Sequence, residues 1–175
     1  MQKRLQAPNT SLHKARGAVV VTGTSSGIGN AIVECLVKAC FTVFATVRNE
    51  SDRAKVERFT GVHALIVDIT EHTSIAAAAD ALATSGLPLI GLINNAGIAV
   101  GGPLEYLPLD ALRHQLEVNV IGSLGVTQAF LPQLRASRGR IIFIGSVSGR
   151  IAVPFIGPYS ASKFALRAMA DALRI

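Results

Sequence analysis

The feature that most constrains the fold is a regular alternation of short β-branched runs with helical patterns, beginning at Ala18. Such runs, separated by helices, are typical of successive βαβ units. We predict strands at residues 18–22, 41–46, 62–67, 89–93 and 141–145. Helices are predicted at residues 27–39, 49–59, 72–84, 109–135 and from 158 to the end. Strands connected in this way form a parallel sheet with helices on both faces, so the sequence predicts a three-layer α/β fold.

Composition excludes several other classes of protein. The 175 residues are 50% hydrophobic and only 16% charged, which is incompatible with intrinsic disorder. No uninterrupted apolar run reaches the ~20 residues of a membrane-spanning helix. Much of the net charge of +6 comes from the first 16 residues, which carry four bases and no acid. We therefore predict a basic flexible tail at residues 1–16, one domain over residues 17–175, and neither a nucleic-acid partner nor a membrane span.

The cysteines predict a reducing environment. Cys35 and Cys40 are the two cysteines of the chain, and their spacing fits neither a redox pair nor a metal quartet. We predict that both are reduced core residues of a cytoplasmic protein and that there is no metal site. The sequence shows no apolar segment of a secretory signal, in agreement with that location.

A glycine-rich turn with the spacing G-x-x-x-G-x-G follows the first predicted strand. Glycines let the backbone approach a phosphate closely, and the helix that follows offers unpaired N–H groups and a positive dipole end. We therefore predict that the turn binds the pyrophosphate of a dinucleotide. The predicted contacts are Gly23, Thr24, Ser25, Ser26, Gly27, Ile28 and Gly29.

Charged residues after the second and third strands bear on which dinucleotide is bound. Arg48 lies about 20 residues beyond Gly29, where NAD sites place an acid for the ribose 2′-hydroxyl and an arginine accommodates a 2′-phosphate. We favour NADP(H) as the cofactor and keep NAD(H) as the alternative. Asp68 and Ile69 are predicted to contact the adenine, although Asp68 alone would equally cap the next helix.

Two consecutive amides, Asn94 and Asn95, directly follow the fourth strand and precede Ala96 and Gly97. We expect the amides to tie neighbouring strands together and Gly97 to leave room for the cofactor; a simple turn is the alternative. Asn95, Ala96 and Gly97 are therefore predicted cofactor contacts.

The most specific motif opens the last predicted helix. Tyr159 and Lys163 are four residues apart and so share one helix face. A lysine charge about 5 Å away stabilises a phenolate by roughly 3 kcal/mol at an effective dielectric of ~20, which suits the pair to proton transfer with an alcohol oxygen. Ser146, at the end of the fifth strand, is predicted to bind that oxygen, and Ser148 is the competing candidate.

The long predicted helix carries an apolar stripe and, beside it, the amide of Asn119. Without the other motifs, Asn119 is best interpreted as a hydrogen-bonded core residue. The stripe consists of Leu109, Leu112, Leu116, Val120, Leu124 and Leu131.

In this order the motifs resemble the short-chain dehydrogenase/reductase family, from Ala18 to the last residue. The resemblance implies a doubly wound Rossmann fold and an NAD(P)-dependent oxidoreductase that interconverts an alcohol and a ketone or aldehyde. It implies that Tyr159 is the acid/base, that Lys163 stabilises the phenolate and holds the nicotinamide ribose, and that Ser146 binds the substrate oxygen. Asn119 would hold a water of a proton relay.

The same resemblance implies a small-molecule alcohol or carbonyl substrate and a homodimer or homotetramer. Residues 45–48 and 159–166 resemble members that act on steroids, retinoids or similar bulky apolar alcohols. Family members continue beyond this last helix, so we expect the chain to hold the cofactor half and the catalytic residues but not the C-terminal strands and substrate lid. The alternative is a non-catalytic nucleotide-binding or interaction module.

Overall fold

The structure, a computed structural model, describes residues 16–174, and a five-stranded sheet forms its centre. The strands are β1 (Ala18–Val21), β2 (Thr42–Val47), β3 (Val62–Ile66), β4 (Leu89–Asn94) and β5 (Arg140–Phe143). All four neighbouring pairs are parallel. Every predicted strand is present, so the predicted parallel α/β fold is confirmed.

The strand order is β3-β2-β1-β4-β5. The chain adds strands to one side of β1 and then crosses to the other side. Val20 of β1 therefore lies between Phe44 of β2 and Leu92 of β4. Such a reversal of direction opens a crevice at the carboxyl ends of the two strands that flank it, here β1 and β4.

The described part of the chain forms six α-helices. They are α1 (Gly27–Lys38), α2 (Glu50–Val56), α3 (His72–Thr84), α4 (Leu109–Leu116), α5 (Ser123–Ser137) and α6 (Gly157–Ala172). A π-helical segment, Glu117–Gly122, joins α4 to α5. The long helix predicted at residues 109–135 is thus three consecutive helical segments.

Both faces of the central strand β1 are buried, which explains why it is apolar throughout. Ala18 and Val20 belong to one core cluster, and Val19 and Val21 belong to the other. The first cluster joins the sheet to α3 and α5, and the second joins it to α1 and α2. Each core lies between the sheet and one layer of helices, so the fold has three layers.

The predicted apolar stripe of the long helix lies largely outside the core. Leu109 is 66% exposed, and the other five residues of the stripe are only partly buried. The buried side chains of α5 are instead led by Val126, Phe130 and Leu134. An unbroken period of 3.6 residues could not predict this face, because the wide π turn shifts the phase of α5 relative to α4.

The cysteine prediction is wrong in one respect. Both thiols are free, but Cys35 is exposed and Cys40 is only partly buried, so neither is a core residue.

Residues 1–15 of the predicted basic tail lie outside the described residues. Arg16, the last residue of that tail, contacts the body of the protein. Its backbone N–H donates to the Cys40 carbonyl at 3.2 Å, and its guanidinium lies 5.0 Å from the centroid of the Phe41 ring. Within residues 16–174, no helix combines the length and apolar character needed to cross a bilayer.

Candidate active site

A cleft of about 420 Å³ opens at the carboxyl edge of the sheet. Four of its wall segments follow strands β1 to β4, in agreement with the rule for ligand crevices in open parallel sheets. Every residue predicted in these segments to bind the cofactor lines the cleft except Thr24, which is fully buried. The complete lining is Gly23, residues 25–29, residues 46–48, residues 67–70, residues 95–98, His114 and Val118.

The turn between β1 and α1 is packed so tightly that two of its positions exclude a side chain. Gly23 has a φ of +67°, and a Cβ there would lie 2.8 Å from the Cα of Ala96. A Cβ on Gly29 would lie 2.2 Å from the Gly23 carbonyl oxygen and 2.6 Å from Asn95 Nδ2. The first turn of α1 borders the cleft, where its unpaired N–H groups and dipole favour an anionic group such as a phosphate.

Asn95 joins the end of β4 to the glycine turn. Its Nδ2 donates to the carbonyl oxygens of Thr22 and Gly23, each at 2.9 Å. The Thr22 hydroxyl oxygen accepts from the backbone N–H groups of Asn95 at 3.0 Å and Ala96 at 2.9 Å. These bonds tie β4 to β1, as expected of an amide at this position, and fix two walls of the cleft relative to each other.

Arg48 and Asp68 line the opposite end of the cleft, and both are exposed. Asp68 Oδ1 accepts from the Thr70 hydroxyl at 2.7 Å and from the Thr70 backbone N–H at 2.9 Å. These two hydrogen bonds lower the pKa of Asp68, and the charges of Arg48 and His114 lower it further. Asp68 is therefore an ionised hydrogen-bond acceptor at this end of the cleft.

Ser146 begins a single 3₁₀ turn, Val147–Gly149, after β5. Its hydroxyl oxygen accepts from the Ser148 backbone N–H at 3.1 Å, and its side chain is only partly buried, whereas Ser148 is buried. A Cβ on Gly149 would lie 2.9 Å from the Lys163 carbonyl oxygen, so this turn packs directly against α6. The structure thereby brings Ser146 to the helix that carries Tyr159 and Lys163.

Tyr159 and Lys163 lie on one face of α6, with Lys163 Nζ 5.6 Å from the centroid of the Tyr159 ring. Lys163 is 6% exposed, and its ammonium donates to the Ile144 carbonyl at 2.8 Å. Burial lowers the pKa of Lys163. A buried cation beside a partly buried phenol is an arrangement suited to proton transfer.

Asn119 is fully buried in the π segment. Its Oδ1 accepts from the Ile98 N–H at 2.8 Å, and its Nδ2 donates to the Ile98 carbonyl and to the Ser162 hydroxyl, each at 3.0 Å. The Ser162 hydroxyl donates in turn to the Tyr159 carbonyl at 2.7 Å. Both amide hydrogens of Asn119 are used within the protein, so a water held by this residue must bind one of its oxygen atoms.

Three contributors were not singled out from the sequence: Ser162, Gln115 and His114. Ser162 lies inside the Tyr159–Lys163 motif, of which Tyr159 and Lys163 alone were predicted to be functional. Gln115 and Asn119 are four residues apart, and this spacing of two polar side chains on one helix face was the available signal. His114 is an isolated exposed residue in the sequence and carries no such signal.

The fold and the cleft are those of a dinucleotide-binding α/β protein. Comparison with known proteins identifies the family. The profile of the short chain dehydrogenase family matches residues 17–175. The chain is 45% identical over 161 residues to a 3-amino-tetrahydro-pyrrolizinone reductase of Xenorhabdus hominickii. It is 38% identical over 169 residues to retinol dehydrogenase 5 of Homo sapiens. The chain belongs to the short-chain dehydrogenase/reductase family.

A solved structure supports the same assignment. A short chain dehydrogenase from Burkholderia cenocepacia in complex with NADP matches 91% of this chain with a TM-score of 0.83 and 33% identity. The matched region is 66% of that chain. The two reductase and dehydrogenase relatives align with 91% and 94% of this chain, but only 56% and 53% of their own sequences are covered. The chain thus spans about half the length of the curated relatives it matches.

Proposed function

We propose that this chain carries the NADP(H)-binding and proton-transfer part of an oxidoreductase that interconverts an alcohol and a ketone or aldehyde. The observation that carries the proposal is the convergence of the glycine turn, Asp68, Asn119, Ser146 and the Tyr159–Lys163 pair on one edge of the sheet. Family membership supports the same reaction class.

The residues present fit a dinucleotide. Gly23 and Gly29 let the turn pack tightly against Ala96 and Asn95, Gly27 leaves open space at the cleft, and the first turn of α1 suits the pyrophosphate. Asp68, held ionised by Thr70, would accept from the adenine amino group. Arg48 would bind a ribose 2′-phosphate, which favours NADP(H) over NAD(H), and the Burkholderia relative is described in complex with NADP.

In the proposed mechanism the nicotinamide, when bound, supplies or accepts the hydride. The Tyr159 hydroxyl donates a proton to the carbonyl oxygen during reduction and regains it in the reverse reaction. Lys163 stabilises the phenolate by its charge and would bind the nicotinamide ribose. Ser146 donates a hydrogen bond to the substrate oxygen, and its partial exposure supports it over the buried Ser148. Asn119 fixes Ser162 and hence the first turn of α6.

The substrate we propose is a bulky apolar alcohol or its carbonyl form. Two loops near Tyr159 are joined by a hydrogen bond from the Gly102 N–H to the Phe155 carbonyl at 2.7 Å. These two segments and the first residue of α4 carry large side chains that are each at least 49% exposed: Leu104, Leu109, Ile151, Val153 and Phe155. An apolar substrate body would cover this surface, and the name of one relative, retinol dehydrogenase, is consistent with it.

We also propose that the protein is a cytoplasmic homodimer or homotetramer. Exposed apolar residues on the long helix and on α6, Ile121 and Phe164 among them, support association with a second copy. The two free thiols are consistent with a reducing compartment.

The experiment that tests the function is NADPH-linked reduction of retinoid and steroid carbonyls by the protein and by its Tyr159→Phe variant. The variant keeps the ring but lacks the proton donor. We expect its turnover to fall by at least ~10²-fold, the scale of general acid–base catalysis, with NADPH affinity little changed.

Thr84→Val is the control, because it also removes a hydroxyl group, but one that is exposed at the end of α3 and does not line the cleft. It should leave turnover within about twofold of the parent, since a surface substitution has little effect. Equal turnover of the Tyr159→Phe variant and the parent would remove Tyr159 from the mechanism. NADPH binding without turnover of any carbonyl would favour a nucleotide-binding module.

A further inference from the structure

The side chain of Gln115, in the last turn of α4, is fully buried and holds a length of irregular backbone in place. Its Oε1 accepts from the Val100 N–H at 2.6 Å, and its Nε2 donates to the Ile98 carbonyl at 2.9 Å. Residues 95–103 are neither helix nor strand, so these backbone groups have no strand neighbour to pair with. Gln115 therefore supplies the pairing that a strand would have made.

Asn119 makes the same kind of contact one turn later. It pairs with both the N–H and the carbonyl of Ile98, and the Ile98 carbonyl accepts from Asn119 and Gln115 together. The two amides thus form one clamp on residues 98–100. Because Ile98 lines the cofactor cleft and Gly97 packs against Asn119, the clamp sets the position of one cleft wall.

The π segment begins at Glu117, between the two amides. Single π turns within α-helices are frequent at functional sites, because the wide turn redirects side chains. Within this segment, the Asn119 amide donates to the Ser162 hydroxyl, which in turn donates to the carbonyl of Tyr159. Gln115 is therefore connected through Ile98 and Asn119 to the helix that carries the proposed acid/base.

We propose that Gln115 is a positioning residue for cofactor binding. It fixes residues 98–100, and through the shared Ile98 carbonyl it fixes the Asn119 amide at the wall of the cleft. This inference rests on the proposed function, because the ligand that would contact this wall of the cleft is the NADP(H) proposed above.

Gln133 offers a matched control for a purely structural effect. It lies on α5, does not line the cleft, and donates from Nε2 to the Ala79 carbonyl at 2.9 Å. Both Gln115→Leu and Gln133→Leu remove a donation from a glutamine Nε2 to a backbone carbonyl. Gln115→Leu also removes the acceptor of the Val100 N–H, and it is the variant that touches the clamp. A general loss of stability should lower the melting temperature in both variants.

The test is a titration with NADPH, followed by fluorescence well below the melting temperature of each variant. We expect Gln115→Leu to weaken NADPH binding about tenfold, equivalent to about 1.4 kcal/mol and close to one buried hydrogen bond, while Gln133→Leu stays within about twofold of the parent. If Gln115→Leu and Gln133→Leu bind NADPH equally well, the positioning role is wrong. If the parent itself does not bind, the proposed function fails first and this inference fails with it.

Gln115→Glu keeps the proposal testable if the leucine variant does not fold. A protonated carboxyl at this place accepts from Val100 and donates to Ile98, whereas an ionised one faces the Ile98 carbonyl without a hydrogen. NADPH affinity should therefore be near that of the parent at acid pH and fall as the introduced carboxyl group ionises. A pH profile that parallels those of the parent and of Gln133→Glu would overturn the inference.

Discussion

In the proposed function Arg48 selects NADP(H) over NAD(H), because it is the charged residue at the end of β2 that lines the cleft. We expect Arg48→Ala to weaken NADPH by about tenfold, the lower end of what one charge-assisted hydrogen bond contributes, and to leave NADH almost unchanged. The measurement is the ratio of the two dissociation constants. Arg53→Ala is the control, since Arg53 pairs with Glu50 and Glu57 on α2 and does not line the cleft. An unchanged ratio in Arg48→Ala would leave NAD(H) as the better choice.

Lys163 carries a buried charge that should cost stability. Burial lowers its pKa, so between the folded and unfolded pKa values the unfolded chain binds more protons, and stability rises with pH. Below the lowered pKa of Lys163, the ammonium is charged in the folded protein, and burial of this charge lowers the free energy of unfolding by its full amount. We expect Lys163→Met to be more stable than the parent near neutral pH by about 1 kcal/mol, as often found when an apolar side chain replaces a buried charge.

This advantage should shrink as the pH rises through the lowered pKa of Lys163. Denaturant unfolding between neutral and alkaline pH measures it. Lys38→Met serves as the control, because Lys38 is exposed and pairs with Glu34 at 2.7 Å on the surface of α1. A Lys163→Met variant that is less stable than the parent by a constant amount at every pH would contradict the assignment of a desolvated ammonium.

At the scale of elements, the junction of β1 and α1 depends on Gly29. An added methyl group would lie 2.2 Å from the Gly23 carbonyl oxygen and 2.6 Å from Asn95 Nδ2, so the turn and the end of β4 must separate. We expect Gly29→Ala to destabilise the fold by about 1–3 kcal/mol, as overpacking does, and to weaken dinucleotide binding. Thermal unfolding and NADPH titration measure the two effects.

Gly125→Ala is the matched control within α5. A Cβ there meets Ile75 Cδ1 at 3.5 Å, which is ordinary contact, and alanine is the better helix former by up to about 1 kcal/mol. This variant should be as stable as the parent or more stable. Equal stability of the Gly29→Ala variant would mean that the turn has room for a side chain.

The elements were largely predictable because each buried strand is a short β-branched run between turn residues. α3 is predicted at residues 72–84 and observed over His72–Thr84. The cleft was predictable for a related reason, since parallel strands bring their carboxyl ends to one edge whatever the details of packing. The π segment was not predictable, because apolar spacings of three, four and seven residues do not distinguish one long helix from α4 and α5 joined by a wide turn.

The spacing of Gln115 and Asn119 indicates two amides on one helix face, but the partners of Gln115 were not predictable from the sequence. Its partners, Ile98 and Val100, are backbone groups of an irregular segment, and no pattern of side chains encodes where such a segment lies. The residues recognised in advance were those whose chemistry depends on short spacings, such as Tyr159 and Lys163.

At the scale of the whole molecule, the outer edge of strand β5 leaves apolar side chains and unpaired backbone groups exposed. Among the described residues β5 pairs with β4 alone, Ile142 is 49% exposed, and a cleft of about 650 Å³ beside the strand has Leu134, Ile141 and Phe143 in its walls. Unpaired strand edges and contiguous apolar surface favour association. We expect the 175-residue polypeptide to associate, measured by size-exclusion chromatography with light scattering. A monomeric mass at all concentrations would contradict this.

Titration of the 175-residue protein with NADPH and NADH tests whether this chain folds around a dinucleotide site. Thermal unfolding in the same buffer establishes that the protein is folded. We expect saturable NADPH binding, tighter than NADH binding, and a melting temperature that rises with NADPH concentration because only the folded state binds. A protein that unfolds cooperatively but binds neither dinucleotide would show that the cleft is not a dinucleotide site.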